Sequence, residues 1–402
     1  MQAFKRIKLG QALTFQRGFD ITKAEQTHGS IPIVSSSGVS SYHNVAKVNS
    51  PGVIIGRKGT LGTVHAVNTP FWPHDTTLWV KDFKGNDPRF LYYFLKTLHL
   101  ENFDTGSSNP TLNRNHLHKI EVVFPVDVDV QRKIAGILSA YDDLIENNRR
   151  RIAILERMAE ELYREWFVRM RFPGYQNTKF IKGVPEGWEV KPLKSILAEI
   201  KSGIKKSELS NETLYVGLEH IPRHSLLLND WSTGDSVDSN KLRFESRDIL
   251  FSKIRPYLHK IVLAHVPGAC STDTIVLRPR KRSQEGFALM TVSSDTFVEL
   301  ATIASKGTKM PRADWGFLKE QNIPIPSDAC LELFQNRFDV LFMQMVKLLQ
   351  SNDLLNQAKC IKLNRLISGR VNVEKLKIQL PSGMASKDRL NDASCSEELA
   401  HA

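Results

Sequence analysis

A chain of 402 residues with 41% hydrophobic and 24% charged residues has room for two globular domains and too much apolar content for disorder. No stretch approaches the ~20 apolar residues that span a bilayer, and the opening MQAFKRIKLG lacks the apolar core of a secretion signal, so no membrane association and a cytoplasmic location are expected. The formal net charge of +12 leaves two readings open, a solvated basic surface and a polyanion partner.

Residues 1–130 read as mixed α and β. Strand-like pieces recur at 31–35, 52–56, 77–80 and 120–124, separated by turn formers such as Asn49-Ser-Pro-Gly, Lys58-Gly and Asn86-Asp-Pro. Residues 87–99 predict an amphipathic helix opened by Asp87 and Pro88.

The stretch 131–170 is different. Within it Ile134, Leu138, Tyr141, Ile145, Asn148, Ile152, Leu155, Ala159, Leu162 and Trp166 recur at alternating spacings of four and three, with Asn148 as the polar exception. Such a heptad seam needs a partner helix, and the 37 residues 131–167 at 1.5 Å each span roughly 55 Å. The partner is sought at 331–371, where Phe338, Phe342, Met345, Leu349, Leu363 and Leu366 keep the spacing. Asn352, Asn356 and Lys359 interrupt that second seam. Antiparallel pairing would bring Asn148 to Asn352 and fix the register, with Ile145, Ile152 and Met345 packed beside them. Two separate amphipathic helices on two separate cores remain the alternative.

Between the helices, Gly183-Val-Pro-Glu-Gly-Trp188 opens a second globular stretch within 171–330, and 372–402 reads as a polar, mobile tail. The halves repeat. Pro51-Gly-Val-Ile-Ile-Gly-Arg57 followed by His74-Asp75-Thr76-Thr77 resembles Arg247-Asp-Ile-Leu-Phe-Ser-Lys253 followed by Ser271-Thr272-Asp273-Thr274. Pro110, Leu117 and Pro125 then recur as Pro311, Leu318 and Pro326, at one constant offset. A period of roughly 200 residues is a duplicated domain, not a solenoid repeat. The expected fold class is α+β, with two similar mixed domains in tandem and two long antiparallel helices forming an intramolecular coiled coil. The rods would act as a spacer between the domains.

No catalytic constellation is present in the sequence. It has no GxxxxGK[ST], no GxGxxG after a strand and no HExxH, and Ser35-Ser-Ser-Gly38 lacks the frame of a nucleophile turn. His74-Asp75 has no histidine in its repeat, and the shared Asp-Thr pair reads as structural. Cys270, Cys330, Cys360 and Cys395 form no CxxC pair, so no metal site is expected and free thiols are. Nucleic-acid contacts are better supported. Arg57 and Lys58 lie in a turn whose Gly56 and Gly59 would let amides approach phosphates, and Lys253, Arg255 and Tyr257 hold the equivalent place. Ser107, Asn109 and Arg114 in one half, and Lys306, Lys309 and Arg312 in the other, add hydroxyls, amides and cations suited to phosphates and base edges.

The segment QRKIAGILSAYDDLIENNRRRIAILERMAEELYREWFVRMRFPG, the opening GVPEGWEVKPL and the repeated Gly-x-x-x-Pro segments resemble the specificity subunit of type I restriction–modification enzymes, over residues 1 to about 370. The resemblance implies two target recognition domains that read the halves of a split, asymmetric DNA site from the major groove. It implies helices that set the unread interval and dock two methyltransferase subunits, and a full complex with two ATP-dependent restriction and translocation subunits. S-adenosylmethionine, ATP and Mg are then expected on those partners, and this chain has no active site or cofactor of its own. A spacer of roughly 55 Å corresponds to roughly 16 base pairs. The competing readings are a solitary DNA-modifying enzyme and a structural coiled-coil scaffold.

Overall fold

The computed structural model describes residues 4–103, 110–307 and 310–376. The chain divides into two compact units, Met1–Ile145 with Leu354–Ala402, and Glu146–Asp353. The sequence sets the long helices apart at 131–170 and 331–371. In the structure each helix is shared between the two units, because its seam packs against sheet residues as well as against the other helix.

In the first unit, strands Thr14–Arg17, Thr77–Asp82, Gly52–Gly56 and Val64–Val67 form an antiparallel four-stranded sheet in that spatial order. A second sheet orders Gly38–His43, Ile31–Ser35 and Trp72–Pro73, and Phe4–Lys8 pairs separately with Glu121–Pro125. Helix Pro88–Lys96 starts where Asp87 accepts from Phe90 N at 2.8 Å, as its sequence signal predicts. Its buried Phe90, Leu91, Phe94 and Leu95 join Val53, Ile55 and Leu78 of the sheet in one core. The first long helix, Val128–Tyr163, adds Ile134, Ala135 and Leu138, and the second, Asp328–Ile367, adds Leu366 and Ile367. Full burial stabilises each large side chain by about 2 kcal/mol.

Both long helices begin about three residues before the predicted start. Asp127 Oδ1 accepts from Asp129 N at 2.8 Å, and Ser327 Oγ accepts from Cys330 N at 3.4 Å, so each helix opens on a short polar side chain. Lys359, read from sequence as a weak point in the seam, is paired: its Nζ donates to Asp142 Oδ1 at 2.6 Å, and Tyr93 Oη donates to the other oxygen at 2.5 Å. A lysine stem can follow an apolar seam when its charge ends on a carboxylate.

The second unit repeats the plan. Leu197–Ile200, Thr274–Pro279, Ile249–Ser252 and Ile261–Leu263 make its four-stranded sheet, and Glu189–Pro192 pairs with Asn322–Ile325. Its second sheet has five strands, ordered Gly203–Ile204, Lys241–Phe244, Gly268–Cys270, Leu214–Val216 and Ser232–Thr233. The short helices Arg114–Leu117 and Trp315–Leu318 recur at the predicted offset, opened by Asn113 and Asp314.

Within this unit the helix pairing is aromatic and then polar. Trp166 and Phe167, in a π-helical turn at Arg164–Val168, meet Phe334 at ring-centroid distances of 5.8 and 4.8 Å. Phe334, Phe338 and Phe342 stack in succession one helical turn apart. At the other end of these segments Asn148 Nδ2 donates to Asn352 Oδ1 at 2.9 Å, both residues buried. Trp166 therefore meets the early part of the second helix and Asn148 its later part, so the segments run antiparallel. Ile152, Leu155 and Met345 lie in the same cluster, and Ile145 is buried on the first-unit side of the boundary. Glu156 accepts from Ser225 Oγ at 2.5 Å and Leu226 N at 2.8 Å; burial pushes its carboxyl above the usual range in spite of these bonds.

Candidate nucleic-acid interface

The same backbone frame holds the candidate residues in both units. Gly56 and Ser252 end the corresponding strands, facing Thr77 and Thr274. The next residue is clamped on both sides: Arg57 N donates to Thr76 O at 2.8 Å and Arg57 O accepts from Leu112 N at 3.1 Å. Lys253 N donates to Asp273 O at 2.8 Å, and its carbonyl accepts from Ala313 N at 2.9 Å. This frame draws together segments far apart in sequence, the strand end and the loop ahead of the short helix. A cation thus leaves each sheet from a fixed point.

In the first unit Arg57 and Arg114 line one concavity with Arg17. Arg57 is half-buried, and burial lowers its pKa first, the charge of Arg17 second, with Asp75 and Asp20 opposing. Arg57 itself meets no carboxylate among the described residues, its Nη1 donating to the backbone Asp75 O at 3.4 Å, and a phosphate or an acceptor edge would supply the missing counter-charge. Lys58 is exposed, its amide sharing Thr76 O at 3.1 Å. Lys47 Nζ sits 4.8 Å above the Trp72 ring, beside Phe19, in an adjoining concavity that Arg17 also walls.

In the second unit Lys253 Nζ donates to Thr272 O at 3.0 Å, and Arg255 N donates to Pro311 O at 2.8 Å. Lys306 and Arg312 bond each other's backbones at 3.0 and 2.9 Å. Their side chains reach Asp314 (2.6 Å) and Asp273 (3.4 Å), and the Lys306 contact holds the Asp314 carboxyl below its usual range. Tyr257 is exposed in the 3-10 turn that follows Arg255. Lys253, Arg255, Tyr257, Lys306 and Arg312 therefore come from two loops that the backbone bonds tie together. Ser107, Asn109 and Lys309, and the tail beyond residue 376, lie outside the described residues.

Two details differ from the sequence reading. Gly56 is buried, and a Cβ there would stand 2.0 Å from Thr60 O, so this glycine serves its own turn and not a phosphate. The aspartates of the repeat are also out of step by one. Thr77 and Thr274 are equivalent, donating to His74 O at 2.9 Å and Ser271 O at 3.0 Å, which puts Asp273 at the place of Thr76 and not of Asp75. Neither aspartate is a simple turn former: Asp75 pairs with Arg17 at 3.0 Å, and Asp273 with Arg312. Sequence reasoning missed Arg17, Lys47 and Trp72. The signal at Arg17 and Trp72 was a cation or ring beside a turn former, in Arg17-Gly18 and Trp72-Pro73, and Lys47, between Ala46 and Val48, left none.

Two like domains, each delivering cations from a clamped strand end, make a tandem polyanion-binding architecture. Residues 1–157 and 185–330 match the family model of the type I restriction modification DNA specificity domain, and the chain belongs to that family. It is 26% identical over 305 residues to the type I restriction enzyme MjaIX specificity subunit of Methanocaldococcus jannaschii, across 71% of this chain and 70% of that one. It is 23% identical over 350 residues to the EcoDI specificity subunit of Escherichia coli, covering 80% and 78%. The S subunit of a type I restriction-modification system from M. genitalium shares the fold, with a TM-score of 0.56 at 16% identity over 90% of this chain and 96% of that chain.

Proposed function

We propose that this chain is the DNA sequence-recognition subunit of a type I restriction–modification complex, its two domains each reading one half of a split double-stranded site. The observation that carries this is the repeated clamp: Arg57 and Lys253 leave equivalent sheets at equivalent backbone positions, each ringed by further cations, in a chain of this family. Phosphate contacts from such cations position the domain, and the neighbouring polar groups read base edges.

In this reading the chain performs no chemistry itself. Methyltransferase subunits carrying S-adenosylmethionine, and ATP- and Mg-dependent restriction subunits, join it at the helices in the cytoplasm. Exposed apolar side chains on the helical segments support docking, among them Ile154, Met158, Val340 and Met343 in the second unit and Leu354 and Ile361 in the first. Among the described residues no helix is long and apolar enough to cross a membrane. The spacer role assigned to the helices from their length belongs to the same proposal.

The test is co-expression with methyltransferase subunits and sequencing that maps methyladenine. A motif of two specified parts with an unread interval is expected, and an undivided motif or none would end the proposal. Arg57→Ala is expected to weaken DNA binding and to lower its salt slope, and a loss of selectivity in one half-site only would show that Arg57 reads bases instead.

A further inference from the structure

Arg17 closes the strand Thr14–Arg17 and directs Nη2 at Asp75 Oδ2, 3.0 Å away. Asp20 Oδ2 lies 3.6 Å from the same nitrogen. Asp75 takes one of the two Nη2 hydrogens, and Asp20, at 3.6 Å, is an ion pair beyond hydrogen-bond reach, so the other Nη2 hydrogen and a neighbouring N–H stay unbonded among the described residues. The backbone beneath is fixed. Gly18 N donates to Thr77 O at 3.1 Å and Phe19 N to Pro73 O at 2.8 Å. A Cβ on Gly18 would stand 2.1 Å from His74 O, so only glycine permits this approach. Asp75 is mostly buried; burial works to raise its pKa, but the Arg17 bond and the charge of His74 outweigh it and the carboxyl stays below its usual range.

The three arginines of this cluster are not alike. Arg57 and Arg114 make no ion pair with a carboxylate among the described residues, Arg57 Nη1 reaching only the backbone Asp75 O at 3.4 Å, and a cation without a carboxylate in a concavity suits a phosphate. Arg17 has its charge largely cancelled and its plane fixed, which weakens it as a phosphate clamp. A fixed, flat fork with an unused edge is what two neighbouring acceptors on a base require, and guanine O6 and N7 present that pair in the major groove. The corresponding turn of the other unit also supplies a carboxylate, Asp273, 3.4 Å from Arg312 Nε.

We infer that Arg17 is a base-reading residue whose unused guanidinium edge donates to O6 and N7 of a guanine in the half-site bound by the first unit, with Asp75 as its positioning residue. This rests on the DNA-recognition function proposed above and names the base and side chain within it.

The experiment uses the full chain co-purified with methyltransferase subunits. Adenine methylation is read on a randomised DNA library, and binding is measured against salt, for the wild type, Arg17→Ala, Arg17→Lys, Asp75→Asn and Arg114→Ala. Arg17→Ala is expected to lower the preference for guanine at one position of one half-site by roughly 10- to 100-fold, leaving the other half-site and the salt slope unchanged. Arg17→Lys, which keeps the charge but not the fork, loses roughly 10-fold at that position. Asp75→Asn relaxes the same position by less. Arg114→Ala lowers the salt slope by about one without changing the motif. If Arg17→Ala instead weakens all sequences alike and lowers the salt slope, Arg17 contacts phosphate and the inference falls. An unchanged guanine preference in Arg17→Lys, or a wild-type motif with no guanine in the affected half-site, also overturns it. Should Arg17→Ala fail to fold, Arg17→Lys and Asp75→Asn decide. Absence of any divided motif from the wild type would overturn the function itself, a failure distinct from these.

Discussion

Three residues past the end of its clamped strand, the first unit places Gly59 and the second Arg255, and both adopt the left-handed backbone, with φ of +76° and +51°. Glycine takes that conformation freely, whereas for arginine it costs about 1 kcal/mol. The second unit carries this strain at the surface, in the middle of its cation cluster. The sheet frames, strand-end clamps and short helices coincide, while the second sheets differ, three strands against five. A shared frame with divergent loops is what two readers of different base sequences need. The frame fixes where a side chain leaves the sheet, and the loop decides which side chain it is.

The largest effect that would sharpen this comparison comes from Phe338→Ala in the second unit. Phe338 is fully buried and stacked between Phe334 and Phe342, so its loss is expected to cost about 3–5 kcal/mol. Hydrogen exchange should show protection lost across 146–353 before the first unit's sheet, and simultaneous loss would deny the units separate stability. Next is Asn148→Leu, which leaves the buried Asn352 amide without its partner at a cost of about 1–3 kcal/mol by urea unfolding. Adding Asn352→Leu is expected to recover most of that loss. A smaller change breaks the comparison directly. Arg255→Gly should raise stability by about 1 kcal/mol while weakening binding through one half-site, and Gly59→Arg should lower it by a similar amount. A thermal melt paired with the methylation motif reads both.

The smallest effect is at Glu156. Its folded pKa lies above its unfolded value, so its contribution is fully present below the unfolded pKa and is lost as pH rises through the folded one. Glu156→Gln keeps an acceptor for Ser225 and Leu226, and should be the more stable protein at neutral pH, with the advantage vanishing in acid.

Local pattern made much of this legible. The strands at 31–35 and 52–56, the Asp87 cap and the Asn148–Asn352 bond are all consequences of spacing along one segment or of one repeat offset. What stayed hidden depends on closure between distant segments. Arg17 and Asp75 are far apart in sequence, as are Asp142 and Lys359, and neither pair leaves a periodic trace. The two- and three-residue strands of the five-stranded sheet are too short to show alternation. Asp75 and Asp273 mark the limit of a sequence repeat as a guide to backbone position. Identical letters near one another need not share a backbone position.

The first unit is sealed by Leu366, Ile367 and Val373, which a ribosome delivers after the whole of residues 146–353. During synthesis the internal unit therefore has all its parts first, and the opening 145 residues must wait with an apolar face uncovered. A nascent chain halted before residue 366 should then be the species that chaperones hold and proteases trim.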